Sequence, residues 1–142
     1  MPISSITEAR DKVMLHFTTL WNAQTPPIPL LLYDDRHRDL PDNAPYARVT
    51  MRHGISDQRT LGSSGNRRFR RFGVITVQVF ALSNKGLATG DVFAKVALDA
   101  FEGNSTAPTE IHFRNARINE VGEDGPWFQT NIIVDFDYDE IK

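Results

Sequence analysis

The 142-residue chain has no cysteine, which excludes disulfides, thiolate zinc sites and cysteine nucleophiles. No apolar run approaches the ~20 residues that a membrane-spanning helix needs. The stretch from Met1 to Ser5 has neither the basic nor the apolar region of a secretory signal. We therefore expect no membrane partner. With 40% hydrophobic residues, this length predicts one domain over residues 1–142.

Catalytic and nucleotide-binding motifs are also missing. The Gly/Ser-rich segment from Gly62 to Arg68 lacks the Lys-Ser/Thr pair of a phosphate-binding loop, and neither Gly-x-Ser-x-Gly nor His-Glu-x-x-His occurs. The four histidines are scattered along the chain. Because catalysis needs a nucleophile or metal held against an oriented base, we expect no enzymatic activity, no catalytic residue and no cofactor.

One local group has the chemistry of metal ligands. It consists of Asp34, Asp35, His37 and Asp39, whose carboxylates and imidazole suit a divalent ion. The alternative is a polar loop with a capping aspartate, within an irregular stretch from Asp34 to Pro45. We adopt the polar loop and assign no metal site.

The formal net charge of −2 conceals two oppositely charged segments. Residues 36–71 contain nine arginines and three aspartates, whereas residues 110–142 contain eight acids and three bases. This distribution indicates charge pairing between surfaces, within or between molecules, more than a dedicated polyanion binder. Arginine outnumbers lysine twelve to four, which favours planar, bidentate contacts.

A first helix is predicted from Ser5, because Glu8 three positions later forms a capping box with it. The helix should end near Asn22, since the prolines that follow cannot continue it. Apolar residues recur at three- and four-residue spacings along one stripe. That stripe comprises Ile6, Ala9, Val13, Phe17, Leu20 and Trp21.

A second helix is predicted over Asp91 to Glu102. Thr89 is a suitable N-cap, and Gly103 stands where a helix commonly ends. The expected buried stripe is Val92, Phe93, Val96, Ala97, Ala100 and Phe101.

The remaining apolar segments predict strands. They are Ile28 to Tyr33 (strand or buried extended chain), Tyr46 to His53, Gly73 to Leu82, Glu110 to Arg114 or through Ile118, and Trp127 to Tyr138. The Gly73 to Leu82 segment is apolar on both faces, which predicts a central strand. The order of elements indicates an α+β fold: a largely antiparallel or mixed sheet of four to five strands, with two helices packed on one face.

Residues 55–72 are predicted to form a long flexible hairpin, because a Gly/Ser tip is flanked by arginines that cannot be buried unpaired. The cluster Arg67, Arg68, Arg70 and Arg71 could bind nucleic acid in a sequence-specific way, contact DNA passing through a channel, or lie solvated on a loop. The interpretation we favour is pairing with carboxylates of a neighbouring subunit. Expected interface residues are Arg67, Arg68, Arg70, Arg71, Glu123, Asp124, Asp135, Asp137 and Asp139.

The acidic residues near the end of the chain have two interpretations. Asp135, Asp137, Asp139 and Glu140 could chelate a divalent cation. We favour the alternative, in which they form the outward face of an edge strand and prevent aggregation between edges.

Several segments of the chain resemble the small tail terminator, or tail completion, proteins of long-tailed bacteriophages, which include lambda-type minor tail proteins. The resemblance runs in order through nearly the whole chain. Its segments are 45–50 (PYARVT), Leu61-Gly62, Arg71-Phe72-Gly73, 77–80 (VQVF), 86–90, Phe101-Glu102-Gly103, Ile111-His112-Phe113 and 122–129 (GEDGPWFQ).

The resemblance implies a structural virion protein that forms a homo-oligomeric ring, typically a hexamer, on the end of the tail tube. Such a ring ends tube polymerisation and provides the surface for head-tail joining. The implied partners are the tail tube protein, a head-tail connector or stopper protein, and DNA in the lumen. The implied location is the phage tail, after assembly in the host cytoplasm. The alternatives are another connector or minor tail component, or a small metal- or nucleic-acid-binding domain.

Overall fold

The computed structural model describes residues 3, 5–23, 30–32, 45–82, 87–103, 111–125 and 127–142. These residues form two helices and five strands. In chain order the elements are α1 (Ile6–Trp21), β1 (Leu30–Leu32), β2 (Tyr46–Gln58), β3 (Arg68–Leu82), α2 (Leu87–Phe101), β4 (Ile111–Asp124) and β5 (Trp127–Ile141).

The five strands form one sheet in the order β1-β2-β3-β5-β4. The pairs β2–β3, β3–β5 and β4–β5 are antiparallel, whereas the short β1 lies parallel to β2. The predicted α+β fold and the central position of β3 are confirmed. The expectation that the acidic residues lie on an edge strand is wrong, because β5 pairs with β3 on one side and with β4 on the other.

The start of α1 follows the prediction, and that of α2 does not. Ser5 Oγ accepts a hydrogen bond from the Glu8 backbone N–H at 3.1 Å, as an N-cap should. Helix α2 begins at Leu87, so the prediction of Thr89 as N-cap is wrong. Gly90 in the extra turn is buried, and a Cβ placed there would be at ordinary contact distance, 3.5 Å, from Ala81 Cβ on β3. None of the described helices is both long and apolar enough to cross a bilayer.

Both helices pack on one face of the sheet, where alternate strand residues join the helix stripes in a single core. Phe17 of α1 stacks on Phe101 of α2 with 5.3 Å between ring centroids. Two expected stripe positions of α1, Ile6 and Leu20, are exposed at its ends, and Met14 is buried instead. Val92 of α2 is exposed, contrary to prediction. Its five-residue separation from the buried Ala97 places the two side chains on different sides of the helix.

The hairpin predicted over residues 55–72 consists of the end of β2, the start of β3 and the turn from 59 to 67 between them. The register of β2 against β3 shifts between His53 and Ser56. Beyond the shift the pairing continues, and Ser56–Gln58 pair with Phe69–Arg71. Residues 69–71 also pair with β5, and backbone hydrogen bonds of 2.9 and 3.2 Å join Arg67 to Lys142. Strands on both sides therefore satisfy the backbone of residues 69–71.

Glu120, Glu123 and Asp124 lie near the turn between β4 and β5, where the start of β5 pairs with the end of β3. The turn between β2 and β3 is at the opposite end of the sheet. Since β5 has 15 residues, the two turns are about 45 Å apart at ~3.3 Å per residue.

Candidate functional site: the open face of the sheet

The sheet face opposite the helices, called the open face below, carries most of the charged side chains of the strands. The strand registers and the alternation of side chains assign them to it. They are Arg48, Arg52 and Asp57 on β2, Arg68 and Arg70 on β3, Arg114 and Arg117 on β4, and Asp135, Asp137 and Asp139 on β5.

Asp139 pairs with two arginines of β3. Arg70 lies directly opposite Asp139, and its Nε and terminal NH2 donate to the two carboxylate oxygens at 2.8 and 3.1 Å. Arg68 adds a third contact at 3.3 Å. The hydrogen bond from Arg70 is the main reason that the pKa of Asp139 is lowered, and the same bond raises the pKa of Arg70.

The other two aspartates of β5 pair with β4. Arg114 Nε lies 2.9 Å from an oxygen of Asp137, which is 6% exposed. Arg117 lies 3.5 Å from Asp135, whose other carboxylate oxygen accepts from Asn115 at 3.1 Å. We call these seven residues the paired end of the open face: Arg68, Arg70, Arg114, Arg117, Asp135, Asp137 and Asp139.

An apolar pocket of about 530 Å³ adjoins the paired end, at the irregularity in β2. Phe72 lies in its wall, and the guanidinium carbons of Arg59 and Arg114 are each 5.8 Å from the centre of the Phe72 ring. Such cation–π contacts hold arginine against an aromatic surface. Ile55 on the rim is 74% exposed.

A second concavity, of about 430 Å³, lies where β2 meets β3 towards the other end of the open face. Its described lining residues are Arg48, Thr50, Arg52, Thr76 and Gln78, which we call the basic groove. None of these five carries a carboxylate. Thr50 lies directly opposite Thr76, and Arg48 lies opposite Gln78.

Arg48 is held in place within the groove. Its Nε donates to Gln78 Oε1 at 2.7 Å, and its guanidinium carbon lies 5.9 Å from the centre of the Phe80 ring. Phe80 in turn stacks on Tyr46 with 4.6 Å between centroids. An arginine fixed in this way loses little further freedom when it binds an anion.

The helix-covered face carries a separate polar cluster. Arg71 donates twice to Glu140, at 2.9 and 2.5 Å. His53 Nε2 and the Tyr138 hydroxyl are 2.6 Å apart. Burial is the main cause of the lowered pKa of His53, helped by the charges of Arg10 and Arg71, and burial also raises the pKa of Tyr138 to about 12.

Several of the expected interface residues have charged partners within the same chain. Arg68, Arg70 and Arg71 pair with Asp139 and Glu140 of the same chain, although partners on a neighbouring subunit were favoured. Asp135 and Asp137 also have partners within the chain.

Arg67 differs from the other members of its cluster, because its Nε donates to the Gly62 carbonyl at 2.9 Å. Glu123 is exposed at the distant β4–β5 turn, which the backbone of Asp124 also reaches. The structure therefore does not bring the basic cluster and these two acids together within one chain.

The group of Asp34, Asp35, His37 and Asp39 lies outside the described residues, as does the stretch from Asp34 to Asn43. Within the described ranges, no three acidic or histidine side chains form a cluster that could hold a metal ion.

Sequence reasoning missed the basic groove as a site. The alternation of Tyr46, Arg48, Thr50 and Arg52 signalled a polar strand face. The missing information was the neighbouring strand, since Thr76 and Gln78 complete the groove from β3 only through the β2–β3 register.

No known protein-family model matches the chain, and no curated protein is significantly similar to it. Several solved structures are similar, and one of them matches over 94% of this chain and 95% of its own, with a TM-score of 0.72 and 15% sequence identity. This likeness shows that the fold occurs elsewhere, and at this level of identity it shows the fold alone.

Proposed function

We propose that this chain is a structural, non-enzymatic subunit that forms a ring on the end of a bacteriophage tail tube. The ring, a hexamer by resemblance to tail terminator proteins, ends tube polymerisation and offers a surface for head-tail joining. The phage context is supported by segments that follow the family's order through the chain, from residues 45–50 to 122–129. The α+β fold agrees with what that resemblance implies.

The observation that supports ring formation is that the two ends of the sheet expose different residues. At the β2–β3 turn, Leu61 is 96% exposed and Arg67 and Lys142 lie next to each other on adjacent strands. At the β4–β5 turn, residues 118–126 contain three acids and no base. Two different surfaces on one subunit favour head-to-tail contacts, which close into rings when the rotation per subunit fits.

The proposed partners are those that the resemblance implies. The tube protein and a head-tail connector or stopper would contact the two faces of the ring, and DNA would pass through the lumen. The place of action would be the virion tail, after assembly in the host cytoplasm. No step of this function requires a cofactor or bond-breaking chemistry.

Electron microscopy of the purified full chain tests the proposal. Rings with a central hole are expected, whereas uniform compact monomers at micromolar concentration would contradict it. Arg67→Glu should weaken the ring, because it places like charges at the proposed contact with Glu123 or Asp124 of a neighbour. Glu123→Lys combined with Asp124→Lys in the same chain should restore rings to the Arg67→Glu variant. Lys95→Glu, on the exposed surface of α2, is the matched charge-reversal control.

A further inference from the structure

We propose that His53 is an acid-sensitive switch, which holds α1 on the sheet while its ring is neutral and loosens α1 when the ring is protonated. His53 lies on the helix-covered face near the register shift of β2. The inference concerns the fold of a single chain, so it goes beyond the proposed function and does not rest on ring formation.

The His53 ring packs against two aromatic side chains and has a hydrogen-bond partner on one side. Its centroid lies 5.3 Å from that of Phe136 and 5.6 Å from that of Tyr138, in edge-to-face contacts. Nε2 and the Tyr138 hydroxyl are 2.6 Å apart. Nδ1 is shielded from solvent and has no hydrogen-bond partner among the described residues. Any proton that Nδ1 carries is therefore held without an acceptor.

Protonation makes this arrangement unfavourable. A neutral imidazole has one N–H, whereas the protonated ring has an N–H donor at both nitrogens. The tyrosine oxygen accepts from only one of them, so Nδ1–H of a charged ring stays unpaired. A shielded donor without an acceptor costs more free energy when it belongs to a charged group. The closed structure thus favours the neutral ring.

The charges around His53 act in the same direction. Arg10 of α1 and Arg71 of β3 both repel a positive charge on the ring, and Glu140 of β5 opposes them. Glu140 is already paired with Arg71, whose Nε donates to it at 2.9 Å. With Tyr138, these are the titratable groups described around His53. Burial, followed by the two arginine charges, lowers the pKa of His53.

The site lies where the N-terminal part of the chain joins the sheet. Ile3 is buried, its backbone N–H donates to the Asp139 carbonyl at 3.1 Å, and it bridges Glu140 in parallel. Helix α1 begins three residues later. Strands β3 and β5 are held by a neighbouring strand on each side. Repulsion between a charged His53 and Arg10 should therefore loosen α1 before it disturbs the central strands.

The direction of the pH effect follows from the lowered pKa. When α1 moves away, His53 is solvated and its pKa returns to the ordinary value of 6.5. The closed form then binds a proton less readily than the open form. The closed form is fully favoured above pH 6.5, and this preference is lost progressively as pH falls through 6.5 towards the pKa of the folded chain.

Amide hydrogen exchange of the full chain between pH 7.5 and 5.5, corrected for the intrinsic exchange rate at each pH, tests the inference. The opening constant of amides 8–14 of α1 should rise at least about twofold as pH falls; about tenfold is the limit for one histidine of ordinary pKa in this window. His53→Gln removes the titrating ring and should abolish the rise. His112→Gln, which removes an exposed histidine of β4, is the matched control and should keep it. No rise in the unmodified chain, or a full rise in His53→Gln, would overturn the inference.

A second measurement does not depend on whether the His53 variant folds. An NMR titration of the His53 ring in the unmodified chain should have its midpoint below pH 6.5, and a midpoint at or above that value would overturn the inference. Arg10→Gln removes one of the repelling charges, so it should raise the midpoint and reduce the rise in α1 opening. Lys95→Gln removes an exposed charge of α2 and should leave both unchanged. Equal midpoints in the Arg10 variant and the unmodified chain would contradict repulsion between α1 and the ring.

Discussion

The two ends of the open face both carry arginines, but the arginines have different surroundings. At the paired end, four arginines each contact an aspartate of β5. In the basic groove, Arg48 is oriented by a neutral glutamine and an aromatic ring. The arginine content is therefore a poor guide to where an anion can bind. At the paired end, it is the neighbouring strands that supply the carboxylates for the arginines.

This comparison changes the interpretation of the most conspicuous part of the sequence. The cluster around Phe69 looks like an exposed basic patch, but three of its four arginines are in contact with carboxylates of the same chain. Exposed ion pairs contribute little to stability, whereas Arg71 and Glu140 are mostly shielded from solvent, with side chains 19% and 12% exposed. We expect these contacts to hold the β2–β3 hairpin against β5.

The largest effect is expected at Gly73 of β3, which lies along the strand between the two ends but whose Cβ would point to the helix-covered face. A Cβ there would overlap the Arg52 carbonyl oxygen and lie 2.5 Å from Phe136 Cζ. Gly73→Ala should lower the free energy of unfolding by about 3 kcal/mol through overpacking, and a urea titration would measure it. Gly54→Ala is the control, since its Cβ would meet only the Phe72 carbonyl oxygen at 3.9 Å. Similar losses in both variants would show that the crowding at Gly73 is not the cause.

A smaller loss is expected at the paired end. Asp139→Asn removes the negative charge that Arg68 and Arg70 share, and should lower the free energy of unfolding by about 1 kcal/mol, a value reduced for the exposure of both arginines. Amide hydrogen exchange should accelerate across residues 68–71. The control Asp99→Asn breaks an exposed pair with Lys95 on α2 and should leave stability nearly unchanged. Unchanged exchange in the Asp139 variant would mean that this pair does not hold the hairpin.

The pH dependence of the same variant gives an independent check. The pKa of Asp139 is lower in the folded chain than in the unfolded chain, where it is about 3.9. The folded state then binds fewer protons, so the stabilisation is complete above that value and is lost as pH falls through the folded pKa. The stability difference between the unmodified chain and Asp139→Asn should be constant from pH 7 to 5 and shrink below pH 4. A difference that grew on acidification would contradict this assignment.

The smallest effect on stability is expected in the groove. Arg48→Gln removes one hydrogen bond to Gln78 and should lower the free energy of unfolding by less than about 0.5 kcal/mol, because the side chain is partly exposed. A loss as large as that of Asp139→Asn would erase the distinction between the two ends of the face.

Local and periodic signals predicted much of the fold. Ser5 and Glu8 marked the start of α1 because a cap is a contact between residues three apart. The alternation of apolar residues predicted β5, and the apolar character of both faces of β3 predicted that strand and its central place.

The candidate site depended on information that one sequence does not carry. Arg70 and Asp139 are 69 residues apart, and only the β3–β5 register brings them together. The acidic residues of β5 were expected on an edge strand, but β5 lies inside the sheet because it pairs with both β3 and β4. Helix α2 begins at Leu87, before Thr89, the residue that local capping preference favours.

The central claim, that the chain caps a tail tube, is tested most directly by adding the purified protein to its tube protein during polymerisation. Tube lengths and ends would be measured by electron microscopy. The account predicts tubes that stop growing once a ring of density covers one end, with shorter tubes as the ratio of this chain to tube protein rises. Tubes of unchanged length with bare ends, in the presence of folded protein, would contradict it.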